Sequence, residues 1–338
     1  MTPPNLMPAS LDRRLCIAPM LDWTTRHCRY FLRLLSRHVL LYTEMITSGA
    51  LIHGDRRRFL GFHPAEHPVA IQLGGSDPAE LALCARMAEE AGFDEINLNL
   101  GCPSERVQSG RFGACLMAEP GLVGNCIAAM QAEVAIPVTV KTRLGIDQRD
   151  SWEELVNFVD TVADSGCRVF ILHARKAWLK GLSPKENRDI PPLEYAKVQR
   201  LKRLRPELEI ILNGGIRSLE QTADELTRVD GIMIGREAWH NPYLLARADA
   251  CLFGDVHAIP SRVEIVRQML GYIQEQLDQG VYLSHMTRPL LGLFLGQPGA
   301  RAWRRLLSEQ VHRDGAGVEV VEQALRAVSD REMEDTGA

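Results

Sequence analysis

Residues 95–101 read EINLNLG, and residues 137–143 read PVTVKTR. Each stretch is a short run of aliphatic and β-branched residues that ends in polar residues or glycine. Six further runs of this kind lie before, between and after these two, at Leu15–Met20, Leu40–Met45, Pro68–Leu73, Val169–Arg175, Glu209–Gly215 and Gly231–Arg236. Runs without strict alternation are typical of strands that are buried on both faces of a parallel sheet.

Helical segments separate these runs. Asp77–Ala91 begins with an Asp cap and a Pro in its first turn, and Ser151–Ser165 and Ser218–Arg228 begin with Ser and carry Glu or Gln three residues later. Eight strand–helix units predict the α/β class and a (β/α)8 TIM barrel. A doubly wound sheet is the alternative, but it uses fewer units, and the sequence contains neither a GxGxxG fingerprint nor a Walker A motif.

Beyond about residue 250 only helical periodicity remains. It covers Ser261–Gln279, Tyr282–Phe294, Ala300–His312 and Val318–Glu332. We therefore predict a catalytic barrel domain over residues 1–250 and a C-terminal all-helical domain over residues 255–332. The two ends, 1–10 and 333–338, are expected to be loose.

The composition excludes several classes of protein. No apolar run approaches the roughly 20 residues of a membrane helix, and the first residues lack the apolar core of a secretory signal. The eight cysteines form no CxxC pair, which favours free thiols in a reducing cytoplasm over disulfides or a zinc site. We expect a cytoplasmic monomer without a membrane partner. A net charge of −4 does not exclude nucleic acid, because binding depends on where the charge lies.

Barrel enzymes carry their chemistry at the carboxyl ends of the strands. The last two predicted ends, Asn213–Gly215 and Gly235–Arg236, combine glycines with a guanidinium, and the loops at these places bind phosphate in many barrels. A simple tight turn is the alternative explanation for the glycines at each end. Finding both stretches at the expected strand ends favours phosphate.

Three polar side chains end other strands. Lys141 follows the apolar run VTV, where it could stabilise the negative charge of a reduced flavin. His173 could contact either the flavin ring or its phosphate, and Gln72 could hydrogen-bond a polar ring edge. A solvated lysine, a core histidine and a loop amide are the corresponding structural alternatives.

Cys102 follows the fourth predicted strand. Pro103 restricts it to an extended backbone, so its side chain is expected to project from the strand end. An ordinary thiol is mostly protonated at neutral pH and can donate a proton, although a thiol of lowered pKa would be a nucleophile. Cys115, in the glycine-flanked loop 110–117 that has the features of a lid, is the rival candidate. Inert buried thiols are expected at Cys16, Cys84, Cys126 and Cys167.

Several stretches together resemble the tRNA-dihydrouridine synthases. They include IAPMLDWTTRHCRYFLRLL (17–35), INLNLGCPSERVQSGRFGACLM (96–117) and PVTVKTRLGID (137–147). Two others, HARKAWLKGLSPKENR (173–188) and GQPGARAWRR (296–305), resemble the A subgroup of that family. The resemblance covers nearly the whole chain.

This resemblance implies an activity and a set of site residues. It implies bound FMN, NADPH as the hydride source, tRNA as the substrate, and 5,6-dihydrouridine at positions 20 and 20a of the D-loop as the product. It also implies that hydride reaches C6 of uracil and that Cys102 gives a proton to C5. The implied FMN contacts are Pro19, Met20, Leu21, Gln72, Lys141, His173, Asn213, Gly214, Gly215, Gly235 and Arg236. The implied tRNA contacts are Asn99, Lys185, Arg188, Arg301 and Arg304.

Two other functions remain open at this point. A flavin barrel reductase of free small molecules would share the cofactor residues but has no use for basic C-terminal helices. A tRNA-binding protein with an inactive barrel would need neither Cys102 nor Lys141.

Overall fold

The computed structural model describes residues 11–336, with side chains described as far as Val328. Its strands are β1 (Leu15–Ile17), β2 (Leu41–Thr47), β3 (Val69–Gly74), β4 (Glu95–Leu100), β5 (Val138–Thr142), β6 (Val169–His173), β7 (Glu209–Asn213) and β8 (Gly231–Ile234). Its helices are α1 (Arg26–Leu35), α2 (Ser48–His53), α3 (Arg56–Leu60), α4 (Pro78–Glu90), α5 (Glu105–Ser109), α6 (Pro120–Gln131), α7 (Trp152–Asp164), α8 (Tyr195–Leu204), α9 (Leu219–Glu225), α10 (Arg236–His240), α11 (Arg262–Asp278), α12 (Leu283–Thr287), α13 (Ala300–Glu309) and α14 (Val318–Thr336).

The eight strands form one parallel sheet in which each strand pairs with its neighbours in the chain. β1 pairs with β8, and a parallel bridge between Cys16 and Leu40 brings the start of the sheet against β2. The sheet therefore closes into the predicted (β/α)8 barrel, and the doubly wound alternative is excluded. All eight predicted strands are present.

The side chains inside the barrel differ between its two sides. Alternate residues of a strand point to opposite faces, so Val138 and Val140 of β5 join the core under the helices while Thr139 faces inward. An apolar group fills one side of the interior and consists of Cys16, Ala18, Leu40, Tyr42, Ala70, Val169, Ile171, Ile211 and Met233. Buried polar residues, Glu95, Asn97 and Thr139, occupy the other side.

The helices begin where their capping residues predict. Ser151 Oγ accepts a hydrogen bond from Glu154 N at 3.1 Å, which starts α7 one residue later. Two predictions near the C-terminus were wrong in detail. Tyr282–Phe294 is not one α-helix: α12 ends at Thr287 and a 3-10 turn covers Arg288–Gly292, because Pro289 cannot donate to the helix.

The last helix also runs further than expected. α14 continues to Thr336. The expectation of a loose end was therefore wrong for residues 333–336, which are helical. Residues 1–10 and the last two residues lie outside the described part of the chain. Among the described helices, none is long and apolar enough to cross a membrane.

The C-terminal helices pack against α1 of the barrel. The rings of Tyr30 and Tyr272 stack with centroids 3.9 Å apart, and His27 Nδ1 lies 2.7 Å from the hydroxyl of Tyr272. Arg26 donates to Gln276 Oε1 at 3.2 Å. These contacts fix α11 beside the barrel, and the division into two domains stays a prediction.

Candidate active site

The predicted strand ends meet at one rim of the barrel, because all eight strands run in the same direction. In the register of the sheet, Asn99 of β4 lies beside Lys141 of β5, and His173 of β6 lies beside Asn213 of β7. Four of the predicted residues are therefore brought onto adjacent strands.

Lys141 reaches across β6 to the end of β7. Its ammonium group donates to Asn213 Oδ1 at 2.9 Å, and Asn213 Nδ2 in turn donates to the carbonyl of Met233 at 2.8 Å. Burial lowers the pKa of Lys141 to about 7; the charge of Arg143 acts in the same sense and Cys102 in the opposite sense. A lysine with such a pKa takes up a proton readily when an anion lies beside it.

His173 is neutral in this environment. Burial holds its pKa well below the usual value, and Arg143 and Lys141 lower it further. Gly214 adopts a φ of +124°, and a Cβ placed there would lie 2.9 Å from His173 Cδ2. Gly215 also has a positive φ, so both glycines are needed to make the turn. Their predicted role in binding phosphate stays a prediction.

The ends of β8 and β1 complete the rim. Gly235 precedes α10, and Arg236 donates to Asp189 Oδ1 at 2.7 Å in a partly exposed ion pair. Past β1, Pro19 and Met20 are half-buried, whereas Leu21 is 67% exposed. A ligand phosphate at Arg236 would therefore compete with the carboxylate of Asp189.

Cys102 is held by its backbone in the segment after β4. Asn99 Oδ1 accepts from the backbone N–H groups of Gly101 at 3.2 Å and Cys102 at 3.1 Å, and the Cys102 thiol donates to Ser104 Oγ at 3.5 Å. Asn99 lies beside Lys141 in the sheet, and the half-buried Cys102 raises the pKa of that lysine. The thiol and the lysine thus belong to the same site.

Cys115 lies in the loop that packs over the Cys102 segment. Ala114 N donates to Cys102 O at 3.0 Å, and Gly113 has a φ of +75°, with a built Cβ only 2.7 Å from the same oxygen. Burial raises the pKa of Cys115, and its thiol donates to Phe112 O at 3.1 Å. A lid movement of this loop stays a prediction. The four thiols expected to be inert, Cys16, Cys84, Cys126 and Cys167, are all buried.

Arg143 is a site residue that the sequence did not single out. It is 3% exposed, and it donates to the carbonyl of Gly101 at 3.2 Å and to that of Asn187 at 2.8 Å. It therefore ties the Cys102 segment to the loop after β6. Burial lowers its pKa to about 10, so it keeps its charge at neutral pH. The signal was an arginine in the strand end VKTR, whose partners could not be known in advance.

The residues expected to contact tRNA lie in three places. Lys185 and Arg188 are exposed on the loop after β6, and Arg301 and Arg304 are exposed on α13. Asn99 is different, because its amide nitrogen donates to Gln72 Oε1 at 2.8 Å while its oxygen holds the Cys102 segment. The structure thus gives Asn99 contacts inside the protein that the sequence did not predict.

A thiol, a lysine of lowered pKa and a neutral histidine at the carboxyl ends of barrel strands define a (β/α)8-barrel enzyme. The family model "Dihydrouridine synthase (Dus)" matches residues 16–329. This chain belongs to the dihydrouridine synthase family.

Relatives from several bacteria cover nearly the whole chain, and those cited here share the name tRNA-dihydrouridine(20/20a) synthase. The protein of Vibrio cholerae is 59% identical over 95% of this chain and 98% of its own length. That of Shewanella oneidensis is 60% identical over 94% of this chain and 95% of its own. That of Escherichia coli K12 is 59% identical over 94% and 92%.

One solved structure supports the fold. A 2-naphthoyl-CoA reductase in complex with 2-naphthoyl-CoA superposes with a TM-score of 0.55 at 10% sequence identity. The match covers 70% of this chain and spans 50% of the reductase chain. At this identity it shows a shared fold and nothing about the reaction.

Proposed function

We propose that this chain reduces uridine to 5,6-dihydrouridine at positions 20 and 20a of the tRNA D-loop, with FMN as bound cofactor and NADPH as hydride source. The observation that carries the proposal is that Asn99, which holds the segment carrying Cys102, lies beside Lys141 at the rim of the barrel. Relatives about 59% identical to this chain carry the name of this activity.

The residues at the rim fit a flavin mononucleotide. Lys141 donates to one described partner, Asn213, and an ammonium group has three donors, so it retains capacity for an anionic ring edge. Gly214 and Gly215 turn the backbone at positive φ, and Arg236 supplies a guanidinium for phosphate. The full set proposed to contact FMN is Pro19, Met20, Leu21, Gln72, Lys141, His173, Asn213, Gly214, Gly215, Gly235 and Arg236. Bound FMN would take a hydride from NADPH and supply one to C6 of uracil.

Cys102 would complete the reaction as the general acid. Arrival of hydride at C6 places negative charge on C5 and O4 of uracil. The S–H bond of Cys102 breaks, its proton forms the new C–H bond at C5, and the thiolate then regains a proton from water. The hydrogen bonds from Gly101 and Cys102 to Asn99 hold the segment that carries the thiol during this step.

The tRNA would be bound by the rim loop and by the C-terminal helices. A target base inside a folded tRNA must leave its stack to reach a barrel mouth. Lys185 and Arg188 on the loop, with Arg301 and Arg304 on α13, offer exposed cations for backbone phosphates. We therefore assign the catalytic site and the rim loop that contacts tRNA to residues 1–250, and a helical tRNA-binding domain to residues 255–332. We also propose that the protein is a cytoplasmic monomer.

The proposal is tested by coupling NADPH oxidation to the substrate. Protein purified without added flavin is examined by visible absorption, and the released chromophore is identified by mass. NADPH oxidation is then followed anaerobically with tRNA that lacks dihydrouridine and, in parallel, with free uridine. We expect bound FMN, and NADPH oxidation with tRNA but not with free uridine. A colourless protein, or equal turnover of free uridine, would contradict the proposal.

A further inference from the structure

A chain of hydrogen bonds crosses the polar side of the barrel interior. Thr139 Oγ1 lies 2.7 Å from Glu95 Oε1, and Asn97 Nδ2 lies 2.9 Å from Thr139 Oγ1. Gln72 Nε2 lies 2.8 Å from Asn97 Oδ1, and Asn99 Nδ2 lies 2.8 Å from Gln72 Oε1. This Glu95–Asn99 chain joins the floor of the barrel to the segment that carries Cys102.

The floor end fixes the direction of the chain. Arg13 can only donate, and it does so to Glu95 Oε2 at 2.7 Å. Burial and the charge of Glu95 raise the pKa of Tyr42, so its hydroxyl stays protonated and donates to Glu95 Oε1 at 2.6 Å. The carboxylate is therefore an acceptor, Thr139 must donate to it, and the oxygen of Thr139 must accept from Asn97.

The rim end fixes the same direction independently. Asn99 Oδ1 accepts from two backbone N–H groups, those of Gly101 and Cys102, so the amide nitrogen of Asn99 must face Gln72. Gln72 Oε1 then accepts, and Gln72 Nε2 must donate to Asn97. Both ends agree, so no amide in the chain can turn over without losing hydrogen bonds.

Water has little access to this chain. Glu95, Asn97 and Thr139 are each 0% exposed, and Gln72 is 1% exposed. A hydrogen bond lost in such a place is not replaced by water, which makes a reversed amide costly. The rim end, at half-buried Asn99 and at Gln72, which is proposed to contact FMN, adjoins the proposed reaction site.

We propose that Asn99 is a positioning residue, and that the buried Glu95–Asn99 chain holds its amide so that its oxygen fixes the Cys102 segment and its nitrogen fixes Gln72. The proposal rests on the proposed function only in treating Cys102 as the proton donor. It gives Asn99 a role inside the protein beside its expected contact with tRNA, which stays a prediction.

The first experiment tests whether the two ends of the chain are coupled. Asn99→Asp replaces the donor at the rim with an acceptor. This change favours the reversed orientation of the Gln72 and Asn97 amides, and Thr139 would then donate to Asn97 and lose its hydrogen bond to Glu95. Glu95→Gln removes the acceptor that enforces the original direction. The two sites lie about 13 Å apart along the strand, a separation at which independent substitutions lower the melting temperature additively.

If the two ends of the hydrogen-bond chain are coupled, the melting temperature of the double variant should fall by less than the sum of the decreases in the two single variants. We expect a difference of about 2 °C or more in the melting temperature of the purified protein, measured by differential scanning fluorimetry. The matched control pairs Asn99→Asp with Glu220→Gln, an exposed carboxylate outside the chain, and should be additive. Additive losses for Glu95→Gln with Asn99→Asp would overturn the coupling.

The second experiment tests whether Asn99 positions Cys102. Iodoacetamide alkylation of Cys102 is followed by peptide mass spectrometry. The rate constants of the parent protein and the variants are compared at high pH, where they no longer rise with pH, so that the charge added by Asn99→Asp does not affect the comparison. Asn99→Ala removes the acceptor for the two backbone N–H groups and should change this rate constant by about fivefold or more, because about fivefold corresponds to the loss of a single hydrogen bond. Asn99→Asp keeps that acceptor and should stay within about twofold. Exposed Cys251 is the internal control.

Kinetics separate positioning from tRNA contact. A positioning role predicts that Asn99→Ala lowers kcat about tenfold or more with little change in the KM for tRNA. A raised KM with unchanged kcat and unchanged Cys102 alkylation would instead assign Asn99 to tRNA binding and overturn the proposal. Neither the melting cycle nor the alkylation requires turnover. A protein that passes both but does not reduce tRNA would contradict the proposed function and leave the positioning role of Asn99 intact.

Discussion

The ammonium group of Lys141 donates to Asn213 Oδ1 at 2.9 Å, which links the end of β5 to the end of β7 across the intervening strand. Asn213 is held in turn by the carbonyl of Met233 on β8. Residues of three strands, β5, β7 and β8, therefore hold this one lysine in place. The same lysine lies beside Asn99, which holds the Cys102 segment, in the register of β4 and β5.

Removal of the Cys102 thiol should stop proton transfer and little else. Cys102→Ala is expected to lower the rate of tRNA reduction by about 10²–10⁴-fold, the usual contribution of a general acid. FMN content and NADPH oxidation by an artificial acceptor should not change. Single-turnover kinetics with pre-reduced enzyme measure this step. Cys115→Ala is the matched control, and a larger loss there than in Cys102→Ala would reassign the acid.

The pKa of Lys141 makes the stability of the flavin-free protein depend on pH. Burial lowers that pKa from 10.5 to about 7, so the unfolded chain binds more protons than the folded protein above pH 7. The contribution of Lys141 should therefore favour the folded state increasingly as the pH rises from about 7 to 8.5. Lys141→Met removes this contribution, so the melting temperature of the parent protein should rise relative to that of the variant over this range. Cysteines begin to ionise in the unfolded chain in the same range, but they do so in both proteins. Parallel curves for the two proteins would show that Lys141 keeps its ordinary pKa.

Gly214 should not tolerate a side chain. Gly214→Ala places a Cβ 2.9 Å from His173 at a φ of +124°, and we expect a loss of about 1–3 kcal/mol of stability together with weaker FMN binding. Gly271→Ala is the control, because a Cβ there meets nothing within 4 Å in the middle of α11. That substitution should stabilise the protein by roughly 0.5–1 kcal/mol. Urea unfolding measures the stability, and flavin titration measures FMN binding. Equal stability and equal FMN binding in the two variants would contradict the requirement for glycine at position 214.

The basic residues of α13 should act on tRNA through its phosphates. Arg301→Ala with Arg304→Ala should weaken tRNA binding and reduce the slope of log K against log salt by about two. NADPH oxidation by an artificial acceptor should not change. The control pair, Arg168→Ala with Arg203→Ala, removes two exposed arginines near the opposite end of the barrel, where the chain enters β6 and leaves α8. An unchanged salt slope in the α13 variant would place tRNA elsewhere.

The strands could be predicted because each forms a buried apolar run with a polar end, and the direction of a parallel barrel then brings those ends together. Lys141, His173 and Asn213 were found in this way. The Glu95–Asn99 chain was not, although Glu95, Asn97 and Asn99 alternate along β4 and so share one face. Its partner Gln72 is 25 residues from Asn97, and their contact depends on the register of β3 against β4.

The hydrogen bonds of Arg143 could not be predicted for the same reason. Its acceptors are backbone carbonyls at Gly101 and Asn187, and a carbonyl has no signature in the sequence. The end of α12 could have been found, because Pro289 excludes a continuous helix. Local rules thus reach elements and strand ends, whereas contacts set by the register between strands require the structure.

The most direct test of the central claim is the mass of the tRNA itself. tRNA without dihydrouridine is incubated with the purified protein and NADPH and is then digested with a nuclease of known specificity. The masses of the fragments are measured by mass spectrometry. We predict a gain of two hydrogen atoms per modified uridine, confined to the D-loop fragment that holds positions 20 and 20a. An unchanged D-loop fragment, or a gain located elsewhere in the tRNA, would contradict the account.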